Sequence, residues 1–572
     1  MKRTLVILVS SLLLFACASS PQKEISSGVY LGAASGKPPA SAVASAHPLA
    51  TKAGMKVLAE GGNAFDAAVA VTAALGVVEP YSSGLGGGGF WLIHRAKDGF
   101  QTMIDGRETM PAAGHRDMYL DKNGNVIEGM SMNGPLSAGV PGVPAAMAHL
   151  ADKYGKLPLS KTLASAIRYA EEGFEVDDHY RRLAKFRKDV LNDSAESRRI
   201  FLDDGKVPEK GFVIKQADLA NTLKAMAKDG RDGFYKGPVA RQLVRGLKTA
   251  GGIFTEADLE NYKIVERKPI IGEYQGVKIT SAPPPSSGGI ALVEMFNILS
   301  GYKLNDVDKA TRKHIIVEAM RRAYRDRAIY LGDPDFVDVP VDSLTSSLYA
   351  AGLRASLRLD KATKSENLPG IEATKEGFHT THFSVLDTEG NRVSATVTVN
   401  YPFGSGFTVP GTGILLNDEM DDFSVKPGVP NAYGLVGAEA NAIAPNKRPL
   451  SSMTPTFLET ADGLAIIGTP GGSRIITMVL LGALDFIDGN TPDSWVGLGR
   501  FHHQYLPDAI QYEDEALTKS EISKLEEMGH TLKQTRGTYG NMQAILWNKK
   551  TDVVSAASDP RGVGASQTRI GQ

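Results

Sequence analysis

Two threonines, Thr380 and Thr398, are placed so that their hydroxyls could work together. A threonine inside a chain is a weak nucleophile because nothing beside it takes its proton. It becomes a strong one when its own α-amino group is free to act as base, which requires a cut just before it. The flanking residues read as a hairpin: a strand over His382–Asp387, a short turn Thr388-Glu389-Gly390, and a β-branched strand from Arg392 to Val399. Gly390 suits the left-handed position of such a turn. Pairing Asp387 with Asn391 then sets Thr380 opposite Thr398 on one face, within cross-strand reach. The expectation is a cut between His379 and Thr380. From spacing alone the alternative is an ordinary strand that begins with two threonines, with Thr381 as the competing nucleophile.

The neighbouring stretches extend this pattern. Thr380-Thr-His-Phe-Ser384, Gly413–Ser424, Pro445–Met453 and Gly468-Thr-Pro-Gly-Gly-Ser-Arg474 stand in one order. In that order they resemble the γ-glutamyltransferases (γ-glutamyltranspeptidases, glutathione hydrolases), and further blocks run upstream to about Ser45. The resemblance implies an α+β fold, the four-layer αββα sandwich of the N-terminal-nucleophile hydrolases. It also implies a precursor that cuts itself into a large subunit (41–379) and a small one (380–572), which stay together as a heterodimer.

The same resemblance implies the roles of the site residues. Thr380 would attack a γ-glutamyl carbonyl and form an ester, with Thr398 orienting its hydroxyl. The amides of Gly471 and Gly472 would hold the oxyanion. Arg107, in Met103-Ile-Asp-Gly-Arg107, would grip the α-carboxylate together with Ser451 and Ser452; a guanidinium fork matches both oxygens. Asp422, Glu419 and Asn400 would take the α-ammonium. Tyr433 would cover the bound group from the loop Pro427–Gly434. The chain departs from relatives in two places: His379 stands where several have Asn or Gly, and Glu419 where some have Gln. The expected substrates are glutathione and other γ-glutamyl compounds, with water, amino acids or dipeptides as acceptors and no cofactor. Two rivals are a cephalosporin or glutaryl acylase of the same fold and an uncut, inactive envelope binding protein.

Composition narrows the field further. The chain has 572 residues, 42% hydrophobic and 22% charged, with a formal net charge of -1. Its length exceeds what one core usually serves. No clustered basic face suggests nucleic acid. Met1-Lys-Arg3 and the apolar run Thr4–Ala16 read as an export signal over 1–17, too short to span a bilayer. Cys17, the one cysteine, sits where a lipoprotein signal would place it for lipidation, while Ala16-Cys17-Ala18 also fits a plain cleavage site. The expected destination is the periplasm, with an outer-membrane anchor if Cys17 is lipidated. A lone cysteine excludes an intrachain disulfide.

The remaining elements must position these groups. Residues 18–40 read as a linker. Helices are expected over Pro48–Glu60 and Ala64–Val77, with Asn63 as the cap between them. Gly84–Gly89 formally contains G-x-G-x-x-G but leads into a strand, Phe90–His94, so the glycines are read as close-packing positions instead of a nucleotide loop. From Val140 to about Tyr330 the chain reads mostly helical, with Arg321, Arg322, Arg325 and Asp326 as solvated or ion-paired positions. Residues 360–379 read as an exposed segment around the cut. Asp418, Glu419, Asp421 and Asp422 lack the spacing of a calcium loop, and His502-His503 is no metal signature, so no metal is expected.

Overall fold

The computed structural model describes residues 29–30, 36–368 and 380–571. His379 and Cys17 lie outside the described residues. The described chain opens with strands β1 (Val29–Tyr30) and β2 (Ala40–Ser45), helices α1 (Pro48–Ala59) and α2 (Ala64–Val78), and the hairpin β3 (Gly88–Arg95) and β4 (Phe100–Gly106). Helices α3 (Val143–Tyr154) and α4 (Asp178–Asp193) lead to three further strands, β5 (Val265–Arg267), β6 (Ile270–Tyr274) and β7 (Val277–Ser281). After α5 (Gly288–Leu299) and α6 (Lys309–Tyr330) comes the central hairpin, β8 (Thr381–Leu386) and β9 (Arg392–Thr398). The chain closes with β10 (Thr456–Glu459), β11 (Gly463–Gly468), α7 (Ile475–Ile487), β12 (Gln543–Asn548), β13 (Val553–Ser558) and β14 (Ala565–Ile570).

Two sheets are stacked between helices. The first runs β1-β4-β3-β9-β8-β2-β14, with β5 beside β4; the second runs β13-β12-β11-β10-β7-β6. Strand alternation sorts the side chains of the first sheet into two cores. Phe383, Val385, Val393, Trp91 and Val43 face α1–α4, while Leu386, Phe90, Leu92 and Ala44 face the second sheet and share a core with α5–α7. The result is the αββα layering that the sequence resemblance implies. Polar side chains between the sheets are tied to backbone: Ser384 Oγ donates to the Gln543 carbonyl at 3.2 Å and Ser394 Oγ to that of Ile467 at 3.1 Å. Each bond spares a buried hydroxyl the cost of an unmet partner.

The local signals that end elements behave as expected. Asn63 Oδ1 accepts the amides of Phe65 and Asp66, each at 3.0 Å, and Asp66 Oδ2 accepts the Asn63 amide at 2.9 Å. Such a capping box contributes about 1 kcal/mol and starts a helix whose fifteen residues are all buried. Gly390 has φ 89° in the central turn.

Three differences have identifiable causes. Val29–Tyr30, inside the expected linker, pairs with Phe100–Gln101; two residues carry no readable periodicity. The hairpin β6–β7, at the edge of the second sheet, falls in a region read as mostly helical. Its turn, Gln275-Gly276, has positive φ at both residues (49° and 76°), the geometry of a two-residue hairpin. Finally, Arg321, Arg322 and Asp326 are buried, not solvated. Glu318 pairs with Arg321 at 3.1 Å and Arg322 at 2.6 Å, and Asp326 with Arg325 at 2.5 Å. His314, Glu318 and His530 stand close enough to suggest a metal site. Most of their donors are engaged, however, with the two arginines on Glu318 and a 2.7 Å bond between the imidazoles, while His530 Nδ1 has no partner among the described residues. Among the described residues no helix is long and apolar enough to cross a membrane.

Candidate active site

The register of the central hairpin decides where the threonines meet. Thr381 pairs with Val397 and Phe383 with Ala395, so the next step along the ladder brings Thr380 to Thr398. Their Oγ1 atoms are 3.5 Å apart. Thr398 Oγ1 also accepts the Asn400 amide at 2.7 Å. That bond helps hold Asn400 in the left-handed region (φ 74°), where Asn is better tolerated than most residues. The Asn400 carboxamide donates to the Asp418 carbonyl at 2.9 Å. Thr380 is only 7% exposed.

On one side of Thr380 lies a small pocket of about 20 Å³. Arg107, Asn400, Glu419, Asp422, Tyr433, Ser451, Ser452 and Gly472 line it together with both threonines. Arg107 enters from the end of β4, with its backbone carbonyl bonded by the Tyr262 hydroxyl at 2.7 Å and its Nε donating to the Pro449 carbonyl at 3.1 Å. Its guanidinium pairs with Glu419 and, at 2.5 Å, with Asp422, while Glu108 lies 3.7 Å away. One buried cation therefore faces three acids. Burial pushes the Glu419 carboxyl up to about 8 against the pull of Arg107, and pushes Glu108 well above the ordinary range. Glu419 Oε2 has no hydrogen-bond partner among the described residues. The pocket thus holds a fork-shaped cation and the acids that pair with it side by side.

The opposite wall is the turn into α7. Gly471 and Gly472 have φ 144° and 56°, and a Cβ on Gly472 would lie 2.4 Å from the Tyr433 ring. Only glycine fits there without moving Tyr433. The turn Gly472–Arg474 precedes α7, so its first N–H groups have no intrahelical acceptor and point out of the helix. Tyr433 closes the pocket, its hydroxyl donating to the Asn400 carbonyl at 2.7 Å and its own carbonyl accepting from Gln504 at 3.3 Å.

Comparison with known proteins identifies this arrangement. The family model described as γ-glutamyltranspeptidase matches residues 50–568. The chain belongs to the γ-glutamyltranspeptidase family. It is 44% identical over 528 residues to a glutathione hydrolase proenzyme of Escherichia coli K12, covering 91% of this chain and 90% of that one. Among solved structures, a cephalosporin acylase from Bacillus halodurans superposes with a TM-score of 0.80 at 28% identity, covering 97% and 99% of the two chains. A Helicobacter pylori γ-glutamyltranspeptidase chain aligns at 40% identity with a TM-score of 0.56, covering 57% of this chain and 93% of its own.

In this γ-glutamyltranspeptidase-family chain Thr380 also lines a second, larger cleft of about 970 Å³ on its other side. Gly471 belongs to this cleft. From α4 the cleft is lined by Leu183, Phe186, His179 and Arg182, with Phe186 61% exposed and its ring 5.7 Å from that of Tyr401. It also carries the cations Arg474, Lys533, Arg536 and Arg561.

Reading the sequence missed several groups that shape the family site. Arg327, on α6, donates to Ser287 Oγ at 3.1 Å and Ser452 Oγ at 3.3 Å, and Ser287 Oγ donates to the Ser451 carbonyl at 2.7 Å. Burial lowers the Arg327 guanidinium to about 10. Glu79, at the end of α2, accepts from Thr381 Oγ1 at 2.8 Å. Both lie far from the hairpin in sequence and carry no local pattern of their own.

Proposed function

We propose that the protein is a self-processing γ-glutamyltransferase, cutting glutathione and related γ-glutamyl compounds by way of an ester on Thr380. The observation that carries this reading is the convergence of Arg107, Glu419, Asp422, Ser451 and Ser452 on one pocket beside the Thr380–Thr398 pair. A γ-glutamyl group has an α-carboxylate and an α-ammonium on one carbon. Arg107, with the serine hydroxyls, suits the first; Asp422 and the open Oε2 of Glu419 suit the second. On binding, the substrate carboxylate takes over the guanidinium from the two acids that now hold it.

Chemistry requires the chain to be cut first. In the uncut chain the Thr380 nitrogen is an amide and is not basic. Thr380 Oγ1 attacks the His379 carbonyl carbon, its proton passes to the Thr380 nitrogen as the C–N bond breaks, and water then cleaves the resulting ester to release the His379 carboxylate and restore the hydroxyl. The freed α-amino group next accepts the Thr380 hydroxyl proton as Oγ1 attacks the γ-carbonyl. The Gly471 and Gly472 amides stabilise the oxyanion, an effect typically worth about 10²–10³ in rate per donor. The proton passes to the leaving amine as its C–N bond breaks, and water or a second amine then takes the acyl group from Thr380. The large cleft gives that amine its way in and out.

The cut is further supported by the Helicobacter chain, which is itself nearly fully covered yet spans little more than half of this chain. That share is close to that of residues 41–379. The likeness to a cephalosporin acylase makes acylase activity the rival reading, but a glutaryl group has no ammonium to meet Glu419 and Asp422. The basic N-terminus and the apolar run before Cys17 favour export to the periplasm, with lipidation of Cys17 as the anchor.

The test is intact-mass analysis of the purified protein beside Thr380→Ala, followed by assay with γ-glutamyl and glutaryl anilides. Two fragments, the smaller beginning at Thr380, and release from the γ-glutamyl substrate alone are expected. One uncut wild-type chain would overturn the mechanism.

A further inference from the structure

Glu79 is a buried carboxylate that the chemistry above does not use. It is 2% exposed and sits where α2 ends. Its oxygens accept from two hydroxyls, Thr381 Oγ1 at 2.8 Å and Tyr81 OH at 3.3 Å. No cation pairs with it among the described residues. A carboxylate in such a place costs several kcal/mol unless a charge or strong donors compensate it, which makes an uncompensated one a mark of function. It lines the same cleft as Thr380 and Thr381. Thr381 is the residue that directly follows the nucleophile.

We propose that Glu79 is a positioning residue for the N-terminal nucleophile: it holds Thr381, and it serves as the counter-charge of the α-amino group that the cut creates on Thr380. The proposal rests on the cut at 379/380. Thr381 points from β8 toward the α2 layer, on the opposite face of the strand from Thr380. A bond from α2 to Thr381 therefore pins the strand from behind at the residue next to a free chain end. It adds a side-chain tether on the α2 side to the ladder with β9, at a place where chain ends fray. The cut also introduces a cation where the chain had a neutral amide, and among the described residues lining the cleft Glu79 is the one carboxylate.

The other charged or titratable groups around Glu79 are Tyr81 beside it, Asp177 before α4, and His179 and Arg182 on the cleft face of α4. Asp177 opposes ionisation of Glu79, and burial raises Glu79 to about 7. His179 is pushed down to about 4 by burial and so is neutral at working pH. The free α-amino group and Glu79 would then titrate as a coupled pair.

The experiment compares pH profiles of kcat/KM for wild type, Glu79→Gln and Thr381→Val, each checked for cutting by intact mass. Gln keeps the acceptor for Thr381 but removes the charge. Its acid limb is expected about one pH unit lower, because the α-ammonium loses its partner, with KM at the optimum unchanged. Val removes the bond but leaves the charge; kcat falls about tenfold while KM and the acid limb stay in place. A cut, active Glu79→Gln enzyme with the wild-type acid limb overturns the counter-charge role. Should Glu79→Gln not fold, wild-type kcat in Thr381→Val overturns the proposal instead. Failure of the γ-glutamyltransferase reading is seen separately, as an uncut or inactive wild type.

Discussion

Thr380 Oγ1 stands 3.5 Å from Thr398 Oγ1, and Thr398 Oγ1 is itself bonded by the Asn400 amide at 2.7 Å. With the Asn400 amide fixing one lone pair of Thr398 Oγ1, its hydroxyl still has a hydrogen and a second lone pair with which to meet Thr380. Removing that hydroxyl should slow both self-cleavage and turnover by about a hundredfold, the usual effect of misplacing a reacting atom. Thr398→Ala is the variant to make, with Thr398→Ser expected to retain most of the rate. Cleavage followed by gel and kcat measured on the cut enzyme check both.

Arg107 is the one residue of the small pocket that offers a fork. Arg107→Lys keeps the charge but loses the second bond to a carboxylate, so KM for a γ-glutamyl anilide should rise about ten- to a hundredfold. Self-cleavage does not use the α-carboxylate and should proceed normally. An uncut Arg107→Lys protein would instead give Arg107 a role in building the site.

Gly472→Ala places a methyl 2.4 Å from the Tyr433 ring at a residue with φ 56°. Tyr433 must move, and the turn that aims the oxyanion donors must shift with it. A fall in kcat of about 10²–10³ is expected, with only about 1–2 kcal/mol lost from stability. Steady-state kinetics and a denaturation midpoint separate the two.

Glu318 gives a pH prediction. Burial would raise its carboxyl, but Arg321 and Arg322 outweigh burial and hold it down at about 2. The folded value lies below the unfolded one, so the stabilisation is complete above about pH 4.5 and fades as pH falls toward 2. Urea midpoints should drop over that window in wild type and less steeply in Glu318→Gln. At pH 7 the Gln variant leaves buried Arg322 without an acid, while Arg321 keeps Asp508, and should lose about 3 kcal/mol.

Local features of the fold were legible in the sequence because their causes are local. The turn at Gly390 and the alternation on either side determine the hairpin register, and Asn63 marks a helix start whatever packs on it. The motif blocks name residues of which Arg107, Asn400, Glu419, Asp422, Tyr433, Ser451, Ser452, Gly472 and both threonines line the small pocket, while Gly471 lines the larger cleft. What escaped depends on distant partners. Arg321 and Arg322 read as solvated or ion-paired, and nothing nearby in sequence decides for the buried ion pairs the structure has, because the cover on their helix face comes from distant residues. Arg327 and Glu79 gain meaning only from Ser452 and Thr381, which reach them through the folded sheet. The β6–β7 hairpin was hidden by its mixed polar composition, that of an edge strand with one wet face.

The strand order of the first sheet has a consequence for the cut protein. β2, β3 and β4 precede residue 379, whereas β8, β9 and β14 follow it, and in the sheet they alternate: β3 pairs β9, and β2 lies between β8 and β14. The second sheet is shared as well, β7 pairing β10. Neither fragment has a complete sheet of its own. Cut at 379/380 as proposed, the two pieces would form one hydrogen-bonded body that cannot part or exchange partners without unfolding. Refolding of the cut protein thereby becomes a meeting of two chains, whose yield falls on dilution, while the uncut precursor refolds at any concentration. The order of events in the cell follows: fold first, cut second, and never the reverse.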